Sequence, residues 1–72
     1  MKRFDNMANK INAIKEVFRD GEWLRGRDIV SRLQKAGYSI NERNLLMFIY
    51  HRMQYKYLKR EVMNGINVYT LS

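Results

Sequence analysis

This chain carries few side chains equipped to make or break covalent bonds. It has a single histidine, His51, and no cysteine, so thiolate metal sites and cysteine–histidine nucleophile pairs are excluded. Seven acidic residues are scattered among basic neighbours and do not form a catalytic pair. No glycine-rich phosphate loop occurs. The reading is therefore non-enzymatic, and it implies no cofactor, no metal and no small-molecule ligand. The side chains that stand out are of another kind: Arg43, Asn44, Met47, Tyr50, His51 and Gln54, which fall on one face of a helical pattern within residues 39–57. Arginine, asparagine, glutamine and histidine recognise a partner by hydrogen bonding and charge. Tyr50 and Met47 add apolar surface to that face.

The element that must present them is a third helix, about residues 41–55. Asn41 is a good N-cap, because its side-chain oxygen can accept from free backbone N–H groups of the first turn. Ile40 and Leu45 have the spacing of a hydrophobic staple. Leu45, Ile49 and Met53 recur at four-residue steps with Leu46 beside them, so that face is expected in the core.

The remaining pattern supplies the support for this helix. Residues 1–6 read as a flexible lead-in, and 7–72 as one domain. Met7 to Asp20 predicts a first helix with Ile11, Ile14, Val17 and Phe18 inward, stopped at Gly21. Glu22 to Arg25 is a short extended piece, with Trp23 given a structural role beneath a later hairpin. Arg27 to Ala36 predicts a second helix with Ile29, Val30 and Leu33 inward, closed by Gly37. The short link from Gly37 to Ile40 has the length of a helix-turn-helix connection.

At the end, Asn64-Gly65 between two β-rich runs predicts a hairpin with a type I′ turn. Its register pairs Leu58 with Leu71, Arg60 with Tyr69 and Val62 with Asn67. Leu58, Val62, Tyr69 and Leu71 are then expected to cover the helices. Met63 and Ile66 fall at the tip, where one chain gives little reason to bury them.

Composition bounds the class. Seventy-two residues with 46% apolar content suit one small folded domain without disulfides, held by packing or by packing plus dimerisation. Lys and Arg outnumber Asp and Glu by 14 to 7, a formal charge of +7. That balance suits a polyanionic partner, although a merely basic soluble surface has the same composition. No apolar run is long enough to span a bilayer, and the first ten residues lack the apolar core of a signal peptide. An intracellular, cytoplasmic location is expected, nucleoid-associated if the chain binds DNA.

Helix, short strand, helix, tight turn, helix and hairpin, in that order, resemble the winged helix-turn-helix family. The stretch Gly21-Glu22-Trp23-Leu24-Arg25-Gly26-Arg27-Asp28-Ile29 looks like the family's strand-to-second-helix segment. Tyr57 to Arg60, with Val68 to Leu71, looks like its wing. The resemblance spans about residues 7–71 and implies an α+β fold of three helices, a short strand after the first helix and a C-terminal β-hairpin wing.

It also implies a function: sequence-specific binding of double-stranded DNA, as a transcriptional regulator acting as a homodimer. The third helix would lie in the major groove. Glu42, Arg43, Asn44, Met47, Tyr50, His51 and Gln54 would face the bases, with Arg43 suited to guanine and Asn44 to adenine. Asn44 is equally suited to bonding its own backbone at the helix start. His51 fits a solvated or phosphate-touching residue better than a metal ligand. Lys56, Lys59 and Arg60 would contact the backbone from the wing, and Arg25, Arg27 and Arg32 from around the second helix. The sequence departs from the family at Leu46-Met47-Phe48, where recognition helices usually carry polar residues. Phe48, Met63 and Ile66, with Met47, therefore suggest the alternative of a protein-interaction module.

Overall fold

The computed structural model describes residues 2–72 and contains three α-helices and a three-stranded antiparallel sheet. The helices are α1 (Met7–Glu16), α2 (Gly26–Lys35) and α3 (Glu42–Phe48), and α3 continues directly into a π-helical segment, Ile49–Met53. The strands are β1 (Leu24–Arg25), β2 (Leu58–Met63) and β3 (Ile66–Leu71), in the order β1-β3-β2. Among the described residues no helix is long and apolar enough to cross a membrane.

Each helix begins where a side chain takes up free N–H groups. Asn6 Oδ1 accepts from the Asn9 N–H at 2.8 Å to start α1, and Asn41 Oδ1 accepts from the Asn44 N–H at 3.0 Å to start α3. At α2 the Asp28 carboxylate accepts from the Arg25 N–H at 3.2 Å and from Arg25 Nε at 3.0 Å. The end of α2 is a Schellman turn. Tyr38 N–H donates to Leu33 O and Gly37 N–H to Gln34 O, with Gly37 at φ +99°, a conformation that glycine enters without a Cβ penalty.

The first helix is shorter than its periodicity predicts, ending at Glu16 and not Asp20. Residues beyond it turn a corner around Glu22. The Glu22 carboxylate accepts from the Arg19 N–H at 3.1 Å and from both terminal nitrogens of Arg32, one of them at 2.7 Å. Arg32 also donates to the Val17 carbonyl at 2.8 Å. The Val17 carbonyl and the Arg19 N–H thus find side-chain partners in the corner and not a further helical turn. Phe18 still reaches the core at 8% exposure.

The third helix also differs from expectation. It is α-helical only to Phe48 and then widens, with Gln54 N–H bonding Ile49 O at 3.0 Å in the i→i−5 pattern of a π turn. Tyr55 follows in a left-handed conformation, φ 72°, and its N–H donates to Leu58 O at 2.8 Å. The chain thus reverses from helix to β2 within four residues, while Leu45, Ile49 and Met53 all stay buried.

The hairpin register is the expected one, from Leu58–Leu71 to Met63–Ile66. Asn64 and Gly65 take φ 51° and 77°, as a type I′ turn requires. The inward face differs in two places. Val62 is 59% exposed because it lies out towards the tip, whereas Val68 and Thr70 on the opposite face are buried. Thr70 Oγ1 donates to Glu22 O at 2.7 Å, so the corner before β1 covers that side. Trp23, which directly precedes β1, retains 38% exposure.

Fully buried Ile14, Ile29, Leu33, Ile49, Met53 and Leu58 join the three helices to the hairpin root in one core. The lead-in, expected to be loose, is docked from Lys2 onward. Lys2 N–H donates to Gly37 O and its carbonyl accepts from the Ser39 N–H, both at 2.9 Å. Phe4 stacks on Tyr38 with ring centroids 4.8 Å apart. Met1 lies outside the described residues.

Candidate functional site

Capping by Asn41 and burial of Leu45, Ile49 and Met53 fix which way α3 and its π segment face. What they turn outward is Arg43, Asn44, Met47, Tyr50 and His51, all exposed. Asn41 performs the cap through the backbone N–H of Asn44, which leaves the Asn44 side chain on the solvent face. Met47 is 51% and Tyr50 48% exposed. Tyr50 and His51 meet edge to face at 5.3 Å, an arrangement that aromatic rings favour.

Between this face, the start of α2 and β3 runs an open groove of about 530 Å³. Leu46, Met47 and Tyr50 form one wall, Ile66 and Tyr69 the other, and Arg25, Arg27, Glu42 and His51 stand at its rim. At the groove α2 begins very close to α3. A Cβ on Gly26 would lie 2.4 Å from Leu46 Cδ2, so any larger residue there would force the Leu46 side chain to move.

The cations divide into two groups. Arg27, Arg43, Lys56 and Lys59 are exposed and make no ion pair among the described residues. Arg25 is bonded to Asp28 yet keeps 46% of its side chain exposed. Its partner holds the guanidinium pKa above the usual value, and Arg25 in turn lowers that of Asp28. Arg60 bridges the hairpin root: it donates to Asn67 Oδ1 at 3.0 Å and lies 5.7 Å from the Tyr50 ring centroid. Arg60, with a smaller contribution from Gln54, also lowers the pKa of the exposed Tyr55 hydroxyl, whereas burial raises that of Tyr69.

Three expected contact residues are placed elsewhere. Arg32 is no surface clamp, since its guanidinium is committed to Glu22 and the Val17 carbonyl. Gln54 ends the π segment half-buried, with Oε1 enclosed and unpaired, and does not stand on the outward face. Phe48 packs half-buried against the core, and Lys10 Nζ lies over its ring at 4.2 Å. Met63 and Ile66 are exposed, by 46% and 48%, and pair across the hairpin tip.

Two contributors were not singled out from the sequence. Lys10, which covers Phe48 and lies 5.9 Å from the Phe4 ring, had only its outward helical position as a signal. Gly26 was visible as the opening of α2, but its approach to Leu46 depends on how two helices cross. No known protein family, curated protein or solved structure matches the chain.

Proposed function

We propose that the chain is a winged helix-turn-helix protein that binds double-stranded DNA, with α3 in the major groove and the hairpin as the wing. The observation that carries this reading is the outward face of α3 and the π segment that continues it. Arg43, Asn44, Met47, Tyr50 and His51 are held in solvent on a helix whose other side is locked into the core. A B-form major groove about 12 Å wide admits such a helix. Arg43 and Asn44 in the first turn are the candidates for guanine and adenine edges. Arg27 at the start of α2 and Lys56, Lys59 and Arg60 at the hairpin root flank the helix as phosphate ligands, with Arg25 beside them.

In this reading the chain regulates transcription by occupying its site, as a homodimer that doubles the phosphate contacts. Gel-shift titration against random-sequence duplexes at two salt concentrations tests it. Binding at low salt that weakens steeply with added salt supports the reading, and its absence at low salt rejects it.

One observation favours a second reading, a protein-interaction module. Val62, Met63 and Ile66 leave an apolar tip on the hairpin, and Met47 is exposed on α3. An interface anchored by those residues would respond little to salt.

A further inference from the structure

We propose that the groove between α3 and the hairpin receives the C5-methyl groups of pyrimidines in the bound duplex, with Met47 as the residue that reads them. The inference rests on the DNA-binding reading above and specifies what that site selects. Met47 stands four residues after Arg43 and four before His51 on the exposed face. Wherever the first turn meets base edges, Met47 meets the edges beside them. Its thioether side chain has no donor and only a weak acceptor, so it cannot read the polar groups there. The apolar feature of a major-groove edge is the methyl at C5 of thymine, which 5-methylcytosine also carries.

The surroundings extend that preference. Leu46 and Tyr50 continue the wall behind Met47, and Ile66 faces them across the groove at 48% exposure. Arg25 and Arg27 at the rim keep the polyanion close. Glu42 is the carboxylate at the edge, and a carboxylate accepts from cytosine N4. Methylated cytosine is therefore tested beside thymine.

Affinity of the full chain is measured by fluorescence anisotropy, at one fixed low salt, for four duplexes. These are alternating A–T, alternating A–U, alternating G–C, and alternating G–C carrying 5-methylcytosine. Each methyl buried against Met47 is expected to strengthen binding about fourfold, so A–T should be bound more tightly than A–U. A matching gain on cytosine methylation assigns the groove to either methylated base, and a gain confined to A–T assigns it to thymine. Met47→Gln, at a site already half in solvent, should bring the A–T to A–U ratio towards one, and Met47→Leu should preserve it. Equal binding of all four duplexes by the wild type overturns the methyl assignment and leaves DNA binding standing. A preference that survives Met47→Gln overturns the role of Met47. Absence of binding to any duplex overturns the DNA reading itself, together with this inference.

Discussion

At Glu22 three parts of the chain meet. Its carboxylate holds Arg32 of α2 and the Arg19 N–H at the exit of α1, and its carbonyl accepts from Thr70 of β3. The hydrogen bond from Arg32, then that from Arg19, holds the Glu22 pKa at about 2 against an ordinary 4.5. A folded-state pKa below the unfolded value contributes stability above the unfolded pKa, which is lost as pH falls through the folded one. The thermal midpoint followed by circular dichroism should therefore drop as pH falls from about 4.5 to 2. Asp28, lowered by Arg25, adds in the same direction. Glu22→Gln should flatten that drop, and an unchanged pH profile in the variant would contradict this role. Arg32 was legible as a cation but not as a committed one, because its partner lies ten residues away around a corner that no periodicity encodes. At the outward face, Arg43→Ala should lower DNA affinity by about five- to 150-fold (about 1–3 kcal/mol) and relax sequence preference. Arg32→Lys, in the variant that stays folded, should leave the salt dependence of binding unchanged.

Local rules decided the elements wherever they could act over a few residues. The Asn41 cap, the Schellman turn at Gly37 and the Asn64-Gly65 turn, with the whole hairpin register, were all readable because each depends on a short stretch and its own stereochemistry. The π turn over Ile49–Met53 was not. Its residues have ordinary helical spacing, and the widening belongs to the need to reach β2 within four residues while keeping Met53 buried. The exposure of Val62 was likewise hidden, since alternation identifies a face but not where along the hairpin the helices stop covering it. Two substitutions test these elements by chemical denaturation. Asn41→Ala removes the cap of α3 and should cost about 1 kcal/mol. Gly65→Ala adds a Cβ that meets no atom within 4 Å at φ +77°, so its loss of about 1–2 kcal/mol comes from backbone strain alone. In a domain of this size about 1 kcal/mol lowers the thermal midpoint by roughly 4–8 °C. A midpoint unchanged in Gly65→Ala would mean that the turn relaxes out of the left-handed region.

For the molecule as a whole, the outline of three helices and a hairpin could be read from periodicity and turn residues. The closing of the sheet by β1 against β3, and the groove beneath it, could not. The sheet closes through pairings more than forty positions apart, such as Leu24 with Tyr69, and the groove is lined by residues of α2, α3 and β3 that only the folded chain brings together. The molecule measures 34 × 23 × 20 Å and carries a formal charge of +7. In the proposed function α3 and the hairpin root hold duplex DNA, with Arg27, Lys56, Lys59 and Arg60 on phosphates. The most direct measurement is the affinity of the full chain for duplex DNA across a salt series, for the wild type and for Lys59→Ala/Arg60→Ala. Four such contacts on each protomer predict a slope of log affinity against log salt of about −3.6 per protomer bound, about −7.2 for the homodimer, at about −0.9 for each phosphate neutralised, and a slope shallower by about 1.8 per protomer in the double variant. No binding at low salt, or an affinity indifferent to salt, would contradict the account.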